Sequence, residues 1–195
     1  MHQDLDDLEA ELAAAPDYAA QFRAVFSTGV DRDGIAKALA AYQRSLITEP
    51  SPFDRYLSGD KNALSNAAQR GLELFVGEAG CVRCHNGPLL SDGKFYRLGV
   101  GFKDKGLGAV TGKSEDNYKF RTPSLRNIAE TSPYMHDGSM ETLADVVTFY
   151  FREIPTAPGN LPLDVEALSA QSFSDIDYLV AFLKSLTGKP PVNAK

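Results

Sequence analysis

The sequence contains no tryptophan and only two cysteines, three histidines and three methionines in 195 residues. Two cysteines three positions apart cannot build a long-range disulfide framework, so Cys81 and Cys84 must be read as a local site. No apolar run approaches the roughly 18 residues needed to cross a bilayer. The opening Met1-His2-Gln3-Asp4 has neither the basic nor the apolar region of a secretion signal. Positive charge is also short: 20 Lys and Arg face 26 Asp and Glu, for a net charge of −6 and a pI near 5.1. That balance argues against nucleic acid and anionic membranes and favours a basic protein partner. What remains is ample for a core, since 43% of residues are hydrophobic, and the length suits one ordinary domain, or a small domain with part of another.

Periodicity predicts helices throughout, an all-α chain without a convincing strand. Three lie over 4–15, 16–26 and 32–48, the last with Ile35, Ala38, Leu39, Tyr42 and Leu46 on one face. That stripe needs something to pack on, and only two short helices precede it, which points to a further element upstream. Pro50 and Pro52 then break the pattern, so residues 1–48 form one region, 49–62 a linker and 63–195 a second domain. Within the second domain a helix over 65–76 aligns Ala68, Gly71, Leu72 and Phe75, with Gly71 small enough to admit a close-packed neighbour. Residues 86–120 are rich in Gly, Asp, Lys and Asn and read as long functional loops. A helix over 142–151 begins at a Thr142/Asp145 capping pair and buries Leu143, Val146, Val147 and Tyr150. The last helix, 175–186, carries a Ser174/Asp177 pair, buries Ile176, Leu179, Val180 and Leu183, and ends before Gly188 and Pro190.

Cys81-Val82-Arg83-Cys84-His85 is a C-x-x-C-H sequence, the attachment site of c-type haem: two thiols add across the vinyl groups and the adjacent imidazole reaches the iron. A redox dithiol would want a βαβ context, and a structural zinc would want four ligands, with only His2 and His136 left to supply another nitrogen. Three side chains compete for the opposite face of the iron. Met135 lies in the Ser-Pro-Tyr-Met-His-Asp-Gly segment, Met140 is a weaker version of the same idea, and Tyr150 places a phenol on the apolar stripe of its helix. Against these stand core packing for either methionine and an ordinary hydrogen-bonded tyrosine. Lys119, Arg121 and Arg126 are candidate partners of the haem propionates, with surface charge as the simpler reading. Thr111-Gly112-Lys113-Ser114 ends like a phosphate-binding loop, but Leu107 stands where a glycine is required.

Phe120-Arg121-Thr122-Pro123-Ser124-Leu125-Arg126-Asn127-Ile128-Ala129, followed by Thr131-Ser132-Pro133-Tyr134-Met135-His136-Asp137-Gly138, resembles the second haem domain of bacterial dihaem cytochrome c peroxidases and of MauG. Ser51–Leu57, Arg70–Phe75 and Val180–Leu186 are similar to the same family, so the resemblance covers nearly the whole chain. It implies that the distal ligand sits fourteen residues after the histidine of the His-Asp-Gly turn, a methionine in the peroxidases and a tyrosine in MauG. That position is Tyr150 here, which moves the preference away from Met135. It also implies a calcium ion held between the domains by backbone carbonyls at Thr131 and Pro133, for which a simple turn is the competing reading.

Family members begin with another haem domain carrying its own C-x-x-C-H, the peroxide-reactive iron and a tryptophan between the haems. The resemblance therefore implies that residues 1–48 are the closing helices of that first domain and that the peroxidatic haem lies outside this chain. The expected role is an electron-transferring haem c domain of a periplasmic oxidoreductase that reduces hydrogen peroxide or oxidises a protein substrate. Its expected partners are the first haem domain, a cytochrome or cupredoxin as donor or acceptor, and a second copy of itself. A free-standing monohaem electron carrier is the first rival, and a non-haem structural domain the second.

Overall fold

A computed structural model describes residues 3–151, 157–160, 163–164 and 173–189. The chain divides into two compact units, one within residues 1–48 and one over 49–189. Among the described residues no helix is long and apolar enough to cross a membrane.

The first unit holds α1 (Leu5–Ala14), α2 (Pro16–Val25) and α3 (Arg32–Ser45). Asp4 caps α1 by accepting from the Asp6 and Asp7 amides, Pro16 opens α2, and Asp31 caps α3 by accepting from the Gly34 amide at 2.7 Å. Each start thus has the oxygen or the fixed φ that orphaned first-turn amides call for. Ala19 and Phe22 are buried, and Phe22 lies 5.4 Å from Phe26. Arg32 ties α3 to α1 through Glu9 at 2.9 Å and through Asp6. The stripe on α3 is amphipathic as expected, yet Leu39, Tyr42 and Leu46 are exposed.

The second unit is built on α5 (Asn66–Val76) and α8 (Phe173–Lys184), which cross in close contact, with α7 (Leu143–Tyr150) packed on α8. Gly71 makes the crossing possible, because a Cβ there would fall 1.9 Å from the Tyr178 carbonyl oxygen and 2.8 Å from the Phe182 Cβ. Phe182 is fully buried at the centre, with Phe75 at 5.0 Å and Phe53 edge-on at 5.3 Å. Sequence periodicity chose Ile176, Leu179, Val180 and Leu183 for this face; the deepest positions are Leu179, Phe182, Leu183 and Leu186. The Thr142/Asp145 pair forms a full capping box on α7, and Ser65 caps α5. The Ser174 side chain, and with it the second capping pair, lies outside the described residues.

Residues 49–62, read from the sequence as a linker, are part of this unit. Pro50 and Pro52 end one pattern, but Pro52 also opens α4 (Pro52–Leu57), where Ser51 and Asp54 complete a capping box and Phe53 enters the core. A proline at the first helical position costs no hydrogen bond, so a break in periodicity is not a break in packing. The loop region 86–120 is likewise more ordered than its composition suggests. It contains β1 (Phe95–Tyr96) and α6 (Leu107–Thr111), and β1 pairs antiparallel with β2 (Phe120–Arg121), placing Phe95 opposite Arg121 and Tyr96 opposite Phe120. Two-residue strands are too short for alternation to reveal.

Candidate functional site

The chain leaves α5 at Gly77 and turns through Gly80, which takes the left-handed conformation (φ 60) that glycine accepts most cheaply. A single helical turn follows over Cys81–Arg83, closed by the Cys84 amide to the Cys81 carbonyl at 3.3 Å and the His85 amide to the same carbonyl at 2.9 Å. Both thiols and the imidazole therefore issue from one short turn, all half-buried. His85 Nδ1 lies 3.0 Å from the Leu90 carbonyl. A carbonyl only accepts, so Nδ1 carries the hydrogen and Nε2 keeps its lone pair for a metal. Leu90 itself sits at φ 50, a costly conformation for a bulky residue, and its side chain is buried.

The electrostatics agree with this assignment. Burial draws the His85 imidazole below its ordinary pKa, which favours the neutral, ligating form. Burial pushes the Cys81 thiol up to about 11 and raises Cys84 as well. A catalytic C-x-x-C pair needs the opposite shift. Among the described residues no group of three or more His, Cys, Asp or Glu side chains is placed to hold a metal ion. A cavity of about 320 Å³ adjoins His85, walled by Phe53, Leu72, Phe75, Val82 and Leu90. That cavity is lined by neither cysteine nor Tyr150; it is the two protonated thiols and the imidazole with a free Nε2 that suit a covalently attached haem.

Tyr150, on the last turn of α7, is half-buried. Its phenol is pushed up to about 12, chiefly by burial and then by the Cys81 and Cys84 sulfurs, so it lies within electrostatic reach of both attachment residues. Tyr96 comes to Cys84 from the other direction. Its hydroxyl donates to Asp92 Oδ2 at 2.6 Å, and the Asp92 amide donates to the Cys84 carbonyl at 2.8 Å.

The comparisons with known proteins can be set against this geometry. The family model for di-haem cytochrome c peroxidase matches residues 1–62. The cytochrome-c peroxidase IdrP1 of Denitromonas iodatirespirans is 39% identical over 95% of this chain and 58% of its own length. The methylamine utilization protein MauG of Methylophilus methylotrophus is 34% identical over 96% of this chain and 57% of its own length. The chain belongs to the dihaem cytochrome c peroxidase and MauG family. A crystal structure of a MauG-like protein associated with microbial copper homeostasis superposes with a TM-score of 0.76 at 32% identity, covering 94% of this chain and 62% of that one, which agrees with the all-α expectation. The chain spans a little more than half the length of the curated relatives it matches.

The other residues singled out in this peroxidase and MauG relative are spread around the site. Met140 packs against the core, its backbone paired with Tyr134 through an amide-to-carbonyl bond of 2.6 Å. Met135 occupies the tight turn between them at φ 70. Pro133 follows a cis Ser132–Pro133 bond, and Thr131 immediately precedes Ser132. Arg126 is engaged by the protein, its Nη1 donating to Asp54 Oδ1 at 2.6 Å and its Nε to the Pro88 carbonyl at 2.9 Å. Lys119 is paired with Asp116 at 3.3 Å, and Arg121 is exposed on β2.

Sequence reasoning missed Tyr96, Asp92 and the buried Arg97, which is 3% exposed and donates to the Asn117 and Glu115 carbonyls at 2.8 and 2.6 Å. The available signal was the run Lys94-Phe95-Tyr96-Arg97-Leu98, where strand propensity interrupts a glycine-rich loop.

Proposed function

We propose that this chain is the electron-relay part of a cytochrome c peroxidase-like oxidoreductase, holding one haem c through Cys81, Cys84 and His85 with Tyr150 on the opposite face of the iron. The observation that carries it is the His85–Leu90 hydrogen bond, which releases Nε2 on the same turn that presents the two thiols. When bound, the haem supplies a reversible one-electron couple. The chain's own part would be to hold that group: Cys81 and Cys84 would tether it, and the Leu90 carbonyl fixes the imidazole tautomer. Tyr150 stays protonated unless a cation faces its oxygen, so a tyrosinate ligand would need the iron itself. The Tyr150 position supports the MauG-like branch.

The peroxidatic iron, in this reading, belongs to the first haem domain, whose C-x-x-C-H is absent from these 195 residues. Hydrogen peroxide reduction, or peroxide-driven oxidation of a protein, is then the activity of the two-haem protein in the periplasm. Arg121 and Arg126 remain candidate propionate partners and Thr131 and Pro133 candidate carbonyl ligands of calcium. A pyridine haemochrome assay on the matured chain tests the central claim: a c-type spectrum with one haem per chain is expected, and a colourless protein would end it. The chain by itself should turn over hydrogen peroxide poorly, and rapid turnover with an electron donor would instead place the reactive iron here.

A further inference from the structure

The chain is acidic as a whole, but its charge is unevenly distributed. Residues 94–121 hold seven basic residues against three acidic ones, and they fold as one lobe. Phe95 pairs with Arg121 and Gly106 with Lys119, the Tyr118 amide donates to the Lys105 carbonyl at 2.9 Å, and Arg97 closes the lobe from inside through the Glu115 and Asn117 carbonyls. Lys94, Lys103, Lys105, Lys113 and Arg121 are exposed. So are Phe95 at 41% and Val110 at 85%. Exposed apolar side chains among like charges are a usual make-up for a transient protein contact.

The lobe also reaches the attachment site. In β1 successive side chains point to opposite faces, so while Phe95 is exposed beside Arg121, the neighbouring Tyr96 turns inward, where its hydroxyl donates to Asp92 at 2.6 Å and the Asp92 amide donates to the Cys84 carbonyl at 2.8 Å. Phe95 and Tyr96 are consecutive, so the exposed ring adjoins the residue that reaches Cys84 through Asp92.

We propose that the basic lobe over residues 94–121 is the docking surface for an acidic one-electron carrier protein, with Tyr96 joining that surface to Cys84 through Asp92. The route rests on the reading that Cys84 carries haem; the docking surface does not. It replaces the basic partner that net charge alone suggests, because a partner responds to the local field within a Debye length of about 8 Å and not to the sum over the chain. In the transfer one electron leaves the partner's metal centre and arrives at the haem iron, with no bond made or broken and no proton moved.

The test uses the full chain after haem maturation, an acidic cupredoxin as probe and a basic cytochrome c as comparator, with affinity measured by titration calorimetry at low and high salt. Lys103→Glu/Lys105→Glu should weaken cupredoxin binding about tenfold at low salt and flatten its salt dependence, with the absorption spectrum unchanged. Unchanged affinity in the variant, or tighter binding of the basic cytochrome by the native chain, would overturn the docking surface. Tyr96→Leu should leave affinity unchanged and slow electron transfer in the saturated complex several-fold; an equal rate would remove Tyr96 from the route. A colourless chain that still loses cupredoxin affinity in the double variant would sink the haem reading while leaving the docking surface standing.

Discussion

The carbonyl oxygen of Tyr178 lies where a Cβ on Gly71 would come within 1.9 Å of it. This contact sets the crossing of α5 and α8, and the C-x-x-C-H turn begins five residues beyond the end of α5. The helix crossing therefore fixes where the C-x-x-C-H turn starts.

Gly71→Ala should destabilise the second unit by about 2–3 kcal/mol or more, since the added methyl meets backbone that cannot rotate away. Urea unfolding followed by circular dichroism measures it. A loss below about 0.5 kcal/mol would mean the two helices do not approach as described.

Phe182→Ala removes the ring on which Phe53 and Phe75 converge. The expected cost is about 3–5 kcal/mol, from lost burial plus the cavity left behind. Because Phe53 belongs to α4, the variant should also expose the 52–57 segment to proteolysis at low denaturant. Protection of that segment equal to the native chain would show that α4 is held by other contacts.

In the haem-loaded chain, Tyr150→Phe should alter the absorption spectrum and raise the reduction potential, because an anionic oxygen ligand favours the oxidised iron. Met135→Leu should leave both nearly unchanged. The reverse pattern would assign the ligand to Met135.

Burial pushes the Asp54 carboxyl up, but hydrogen bonds from Ser51 and the Arg126 guanidinium outweigh it and hold the pKa below the ordinary carboxylate range. A carboxyl depressed on folding stabilises the native state above its unfolded pKa of about 3.9, and that contribution disappears as pH falls through the lower, folded value. Asp54→Asn should therefore cost about 1 kcal/mol near neutral pH, with the gap from the native chain closing as unfolding is repeated toward pH 3. A gap independent of pH would show that the capping geometry, not the charge, is what matters.

Much of the helix content was legible in apolar periodicity and, at Thr142, in a capping pair that does accept from a first-turn amide; Asp4, Asp31 and Ser65 cap their helices in the same way. Gly71 was legible as a place for a second helix because no other residue leaves that space. The ribbon of β1 and β2 was not, since its strands are two residues long and its partners lie 26 positions apart in the Phe95–Arg121 pair. The packing of α4 was not legible for a related reason: Phe53 is held by Phe182, 129 positions away, and local composition carries no trace of such a contact.

The amino-acid order by itself determined the attachment turn, because thiol, thiol and imidazole fall within five consecutive residues and need no folding to be neighbours. Tertiary structure alone decided which imidazole nitrogen is free, where Tyr150 and Tyr96 stand relative to the cysteines, and that Arg126 answers Asp54. Those depend on directions and distances between segments far apart in the chain, and burial sets the pKa values only once the segments have met.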